Sequence, residues 1–297
     1  MGNYFELRIK VNPNIADILS EICFSELDCF GVVTSEQEYK NLQLINDNNE
    51  EIKVFLGSAD KNKIAQLLQT TKTDLKNRGL TESEIGSFEF TIEEKADEDW
   101  SKKWKENWDV THIGNNLTIV PSWIDYQQKK DEVIIKLDPG SAFGTGTHPT
   151  TQLCILAMQK YLQPYSRVAD IGTGSGILAI YAKKIGASYA YGCDNDENVI
   201  STAKDNALKN NVQCVFEHKT ANRIIDKFDF ICANILHNVL VDIMGDLKEL
   251  MTENSILSLS GILIEKRDCV LDAIKNNSME LIDEIRMGDW TSFVVKL

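Results

Sequence analysis

With 297 residues, 43% of them hydrophobic and 26% charged, the chain is long enough for two domains and has an ordinary globular composition. Its formal net charge of −14 argues against direct binding of a phosphate backbone, and no apolar run is long enough to span a bilayer. Seven cysteines without a C-x-x-C pair and four scattered histidines speak against a disulfide framework or a metal site.

The first ninety residues alternate strand and helix patterns. Residues 4–11 (YFELRIKV) alternate apolar and polar side chains, as a half-buried strand does. Pro13 and Asn14 open a helical pattern with Ile15, Ile18, Leu19 and Ile22 on one face. A second strand starts at Gly31-Val32-Val33, residues 46–49 signal a turn, and 51–56 (EIKVFL) form a third strand. Ile64, Leu67, Leu68 and Leu75 mark a second helix, and residues 87–92 alternate again. The order β-α-β-β-α-β predicts a small ferredoxin-like α+β domain over residues 1–94. Such a fold alone says nothing about function. Residues 95–118 read as a helical linker, with Trp100, Trp104 and Trp108 in one stripe that docks it onto a domain.

From residue 119 to 297 the pattern becomes regular β/α alternation, the signature of a parallel sheet. Strands are expected at 168–171, 189–193, 214–217, 228–233 and 256–259. Two further runs, 279–285 and 290–297, are too close for a parallel crossover and should form an antiparallel hairpin. The fold class is therefore α/β: a Rossmann-like, mostly parallel sheet with a terminal hairpin, preceded by the smaller domain.

Four segments carry chemistry. Residues 168–179 (VADIGTGSGILA) run a strand into a turn with Gly172, Gly174 and Gly176 at alternate positions, then a helix. Glycine there allows positive φ and close approach of a ligand, and the helix N-terminus favours a carboxylate. Asp194 ends the next strand, 22 residues after Gly172, where a carboxylate can accept from ribose hydroxyls. It could instead cap the following helix, although Asn195 or Asp196 could serve there. Asn234 follows the fourth strand, where an amide can orient an amine; a turn-forming asparagine is the equal alternative. Residues 137–151 (LDPGSAFGTGTHPTT) make a poor strand or helix, and special loops of this kind carry function. Within them Phe143 could cover a ligand, and Thr151 could donate a hydroxyl at the start of a helix. His148 could be a general base or a loop hydrogen-bonding residue.

Together, FGTGTHPTT at 143–151, DIGTGSGILAI at 170–180, GCDND at 192–196 and ANIL at 233–236 resemble the bacterial ribosomal protein L11 methyltransferase family. The resemblance covers the catalytic domain and is faint over the N-terminal one. It implies a class I fold and S-adenosyl-L-methionine as cofactor, with contacts at Phe143, Thr151, Gly172, Gly174, Asp194 and Asn234. Asn234 is then the catalytic candidate and the N-terminal domain the substrate-recognition module. The implied reaction is N-methylation of lysine side chains and of the N-terminal amine of L11, a basic partner suited to an acidic enzyme. No metal, nucleic acid or membrane is implied, and a cytoplasmic monomer is expected, as residues 1–6 show no basic-then-apolar leader. Ser141, Thr173 and His237 depart from the family pattern, the last beside the acceptor pocket. Alternative readings are a methyltransferase for another protein lysine or a small molecule, and a non-catalytic S-adenosylmethionine-binding protein. An NAD-dependent oxidoreductase fits poorly, because the turn is G-x-G-x-G rather than G-x-G-x-x-G.

Overall fold

A computed structural model describes residues 3–34, 38–40, 43–46, 51–96, 109–138 and 146–297. The chain divides into two compact units, the first built mainly from residues up to 109 and the second from 110 onward.

In the first unit, β1 (Asn3–Lys10), β2 (Cys29–Thr34), β5 (Glu51–Leu56) and β6 (Phe90–Ala96) form an antiparallel sheet in the order β2-β5-β1-β6. A two-stranded sheet of β3 (Glu38–Lys40) and β4 (Gln43–Asn46) stands between β2 and β5 in the chain. Helices α1 (Ala16–Glu26), α2 (Lys61–Asn77) and the short α3 (Glu82–Ile85) complete the unit. This is the expected ferredoxin-like arrangement. Alternation along β1 turns Leu7 and Ile9 inward, where they pack with Val54 of β5 and with Leu19 of α1. Helix α2 begins where Asp60 accepts from the amides of Asn62 (2.9 Å) and Lys63 (3.2 Å), and it buries Ile64, Leu68 and Leu75.

Two strands occupy part of the segment expected to be a helical linker. β7 (Thr111–Ile113) and β8 (Leu117–Val120) pair antiparallel, and β9 (Val133–Lys136) adds parallel to β8. The three belong to the second unit, because Ile113, Leu117, Ile119 and Ile135 are buried in its core. Each strand has only three or four residues, too few to show a period beside the charged run that precedes them. The tryptophan stripe at 100, 104 and 108 lies outside the described residues.

The second unit then runs α4 (Pro149–Tyr161), β10 (Arg167–Ile171), α5 (Ile177–Lys184), β11 (Tyr189–Asp194), α6 (Glu197–Lys209), β12 (Val215–His218), β13 (Phe228–Asn234), α7 (His237–Asp242), α8 (Met244–Glu249), β14 (Met251–Leu263), α9 (Arg267–Asn276), β15 (Glu280–Met287) and β16 (Trp290–Lys296). The seven strands order as β12-β11-β10-β13-β14-β16-β15. All neighbours are parallel except β16, which is antiparallel to β14 and β15. The hairpin expected at the end of the sheet is thus present, with β16 inserted between β14 and β15. Chain order reverses between β10 and β13, so the crevice for a ligand opens beyond their carboxyl ends. Among the described residues no helix is long and apolar enough to cross a membrane.

Candidate active site at the strand switch point

β10 is buried from Val168 through Ile171, and its carboxyl end delivers Gly172 to the switch point. Gly172, Gly174 and Gly176 have φ of +72°, +52° and +81°, a region that side chains with a Cβ disfavour. The turn is fixed by main-chain bonds, since the amides of Gly172 and Thr173 both donate to the Cys193 carbonyl at 2.9 Å. A Cβ at Gly172 would come within 2.3 Å of Ile235 Cγ2, so the residue after Asn234 packs directly on the turn.

Asp194 ends β11 beside this turn. Its Oδ2 accepts from Gly174 N–H and its Oδ1 from Asp196 N–H, each at 3.1 Å. Burial pushes the carboxyl above the usual range, and the amides of Gly174, Asp196 and Asn195 pull against that shift. The capping of the next helix falls to Asp196, whose side chain accepts from Asn198 N–H at 2.9 Å. Asp194 is therefore free of that duty and oriented by the neighbouring amides. A carboxylate has about four acceptor positions, so these amides leave room for an outside donor.

Across the switch point, Asn234 ends β13. Its Nδ2 donates to Thr151 Oγ1 at 3.3 Å, and both residues are buried. Asn234 Oδ1 is buried without a hydrogen-bond partner. Such an orphaned acceptor costs free energy unless a bound donor satisfies it. Thr151 is held there by α4, whose first turn is anchored by Ser260 donating to the Thr150 carbonyl at 2.9 Å. His148 caps this helix, because its Nδ1 accepts from Thr150 N–H at 3.3 Å, and its ring meets Trp290 edge-on at 5.0 Å. The loop hydrogen-bonding alternative for His148 is the one the structure places. Of the six residues expected to hold a cofactor, Gly172, Gly174 and Asp194 form one wall, and Thr151 and Asn234 the other. Phe143 lies outside the described residues, as does Ser141.

A family model for ribosomal protein L11 methyltransferases matches residues 3–297. The chain belongs to the ribosomal protein L11 methyltransferase family. It is 35% identical over 302 residues to the ribosomal protein L11 methyltransferase of Caldicellulosiruptor saccharolyticus, covering 99% of both chains. To that of Listeria welshimeri it is 37% identical, over 78% of this chain and 75% of the relative. The crystal structure of the ribosomal protein L11 methylase of Lactobacillus delbrueckii subsp. bulgaricus superposes with a TM-score of 0.60 at 34% identity. That match covers 64% of this chain and 97% of the solved one.

Within this family frame, three further features surround the motif residues, of which the motifs alone mark only His237. Asp170, in the middle of the glycine-turn motif, is wholly buried, and its Oδ2 accepts from Thr173 Oγ1 at 2.8 Å. Burial pushes its carboxyl up to about 8, against the pull of the Thr173 hydroxyl. A charged residue inside an apolar strand was the available signal. Because the folded carboxyl holds its proton more tightly than the unfolded one, its contribution is complete below pH ~4. It declines as pH rises and is gone above the folded value. Asp170→Asn is accordingly expected to flatten the decline in Tm between pH 5 and 8, measured by calorimetry without ligand. An unchanged slope would rule Asp170 out as its source. The second feature is His237, buried at the start of α7, three residues past Asn234. The third is buried Asn206 of α6 together with Asn210, the C-terminal cap of that helix. A groove of about 300 Å³ lined by Tyr161, Tyr165, Asp229, Asn254 and Ile256 lies at the opposite, amino-terminal end of the strands, away from this crevice.

Proposed function

We propose that this enzyme transfers methyl groups from S-adenosyl-L-methionine to lysine side chains and the N-terminal amine of ribosomal protein L11. The observation that carries the reading is the facing pair at the switch point: an oriented Asp194 beside the glycine turn, and the orphaned Asn234 oxygen opposite. Family membership supplies the reaction class and the L11 acceptor. The residues present suit the cofactor. Asp194 keeps acceptor capacity for a ribose hydroxyl, positive-φ glycines let the cofactor's chain lie on the backbone, and Asn234 Oδ1 can take an N–H donor.

When bound, the sulfonium supplies a methyl group already activated for displacement. The chain's own task is to align and desolvate. The acceptor amine must arrive neutral, with its lone pair on the axis of the breaking bond. Burial disfavours the ammonium form, so a dry crevice lowers the pKa of an entering lysine without a dedicated base. Asn234 Oδ1 can accept from one amine hydrogen and fix the direction of the lone pair, while Thr151 holds the amide plane in place. The proton released after transfer leaves to solvent.

The N-terminal unit serves as the module that presents the basic substrate, and the net charge of −14 supports attraction of a cationic partner over a nucleic acid. The enzyme acts as a cytoplasmic monomer. Asp194→Ala is expected to weaken S-adenosylmethionine binding by ~1–3 kcal/mol through lost ribose hydrogen bonds. Unchanged affinity in titration calorimetry would remove Asp194 from the site. The function itself is tested by incubating the enzyme with labelled cofactor and purified L11 and mapping the products by mass spectrometry. Methyl groups on lysines and the α-amine are the expected result; no transfer despite cofactor binding would redirect the acceptor to another protein or a small molecule.

A further inference from the structure

Helix α6 presents Ala203 and Asn206 on one face, and Asn210, its C-terminal cap, continues the stripe at a spacing of four. Each meets backbone of the candidate site or of its approaches. A Cβ on Gly176 would come within 3.1 Å of Ala203 Cβ, so the helix packs directly under the glycine turn. Asn206, 5% exposed, donates from Nδ2 to the Ser175 carbonyl inside that turn at 2.9 Å. Pinning this carbonyl also sets the Gly176 N–H of the same peptide, which donates to the Thr173 carbonyl at 2.9 Å. Asn210, also 5% exposed, grips Lys136 as a neighbouring strand would. Its Oδ1 accepts from Lys136 N–H at 2.8 Å, and its Nδ2 donates to the Lys136 carbonyl at 2.7 Å. The same Nδ2 lies 2.9 Å from the Asn206 carbonyl, joining the two grips. Beside it, Lys209 Nζ reaches Asp138 Oδ2 at 3.2 Å, and Asp138 Oδ1 accepts from Ser122 N–H at 2.7 Å.

Buried amides on the core face of a helix replace aliphatic side chains that would be cheaper to bury. Here they bond main-chain atoms of the glycine turn and of the last residue of β9, 31 and 74 residues away in sequence. We infer that Asn206 and Asn210 are positioning residues for the cofactor, through which one helix sets both the glycine turn and the carboxyl end of β9. The inference rests on the methyltransferase reading and extends it to residues that touch no ligand. Their effect is to keep the turn and the strand end in one geometry before the cofactor arrives, which lowers the ordering cost of binding.

Asn206→Ala and Asn210→Ala are expected to weaken S-adenosylhomocysteine binding about tenfold each in titration calorimetry. They should raise KM for S-adenosylmethionine while kcat at saturating cofactor stays within about threefold of the wild type. Ala207→Gly is the control: it weakens the same helix, lowering Tm without removing a hydrogen bond. Its affinity should stay near that of the wild type. Should the alanine variants fail to fold, Asn210→Asp keeps the acceptor for Lys136 N–H and removes the donor, and the same direction is expected. Asparagine variants that lose Tm like the control yet bind within about twofold of the wild type would make α6 a scaffold only, and the inference falls. Absence of binding by the wild type would instead overturn the methyltransferase reading, and this inference with it.

Discussion

Replacing Asn234 by alanine is expected to lower kcat about 100-fold with L11 as acceptor, while cofactor affinity changes only a few-fold. The reason lies in what the amide does on each side. Its Nδ2 is held by Thr151, so the position of Oδ1 is determined before any ligand binds. An acceptor amine directed by that oxygen enters with its lone pair aligned, and losing alignment by about 1 Å is worth about two orders of magnitude. Alanine removes the director and leaves the glycine turn and Asp194 in place. Steady-state rates with labelled cofactor separate the two parameters; a kcat within about threefold of the wild type would assign Asn234 to packing alone. Asn234→Asp sharpens the test. A carboxylate in the same place stabilises the ammonium form of the incoming amine, so its activity profile should move to higher pH.

Gly261→Ala should be the most destabilising single-methyl change in the second unit. Gly261 lies in β14 at φ +85°, and an added Cβ would fall 2.2 Å from the Ile235 carbonyl oxygen and 2.8 Å from its carbon. Those are main-chain atoms, which cannot rotate away as a side-chain tip can. The residue before it, Ser260, accepts from Ile235 N–H through its carbonyl at 3.3 Å and donates from Oγ to the Thr150 carbonyl. Displacing Gly261 therefore moves Asn234 and the start of α4 together. A cost of ~3 kcal/mol or more is expected, a fall in Tm of roughly 5–10 °C, with kcat lost in parallel. Gly186→Ala is the comparison, because Gly186 also has positive φ (+104°) but nothing within 4 Å of its would-be Cβ, and should cost only ~1 kcal/mol. Equal losses in the two variants would show that backbone strain, not the contact with Ile235, sets the cost.

Much of this architecture is legible along the chain because its signals are local. Alternation at 4–11 and 51–56, and apolar runs ahead of glycine at 168–171, mark strands within a residue or two of β1, β5 and β10. The glycine turn and Asp194 are legible for the same reason: the turn demands its residue types, and a strand end sets the spacing. β7, β8 and β9 are not, since three or four residues show no period and β9 joins β8 only across the intervening stretch 121–132. His148 illustrates a different limit. Its residue type permits catalysis or capping, and only the position of Thr150 N–H decides between them. Asn206 and Asn210 were hidden most completely. On a helix they read as ordinary polar residues, and only their burial against distant main-chain atoms gives them a role.

The insertion of β16 between β14 and β15 has a consequence for how the sheet is made. During synthesis β14 emerges first and presents a long unpaired edge, then β15 follows, while the strand that must separate them comes last. Until β16 is in place that edge of β14 is open to a wrong neighbour, and in the folded sheet the buried Phe293, Val294 and Val295 of β16 cover it. The β14-β16 and β15-β16 pairings therefore wait for residues 290–296, whereas the β10-β11-β12 half can pair in chain order.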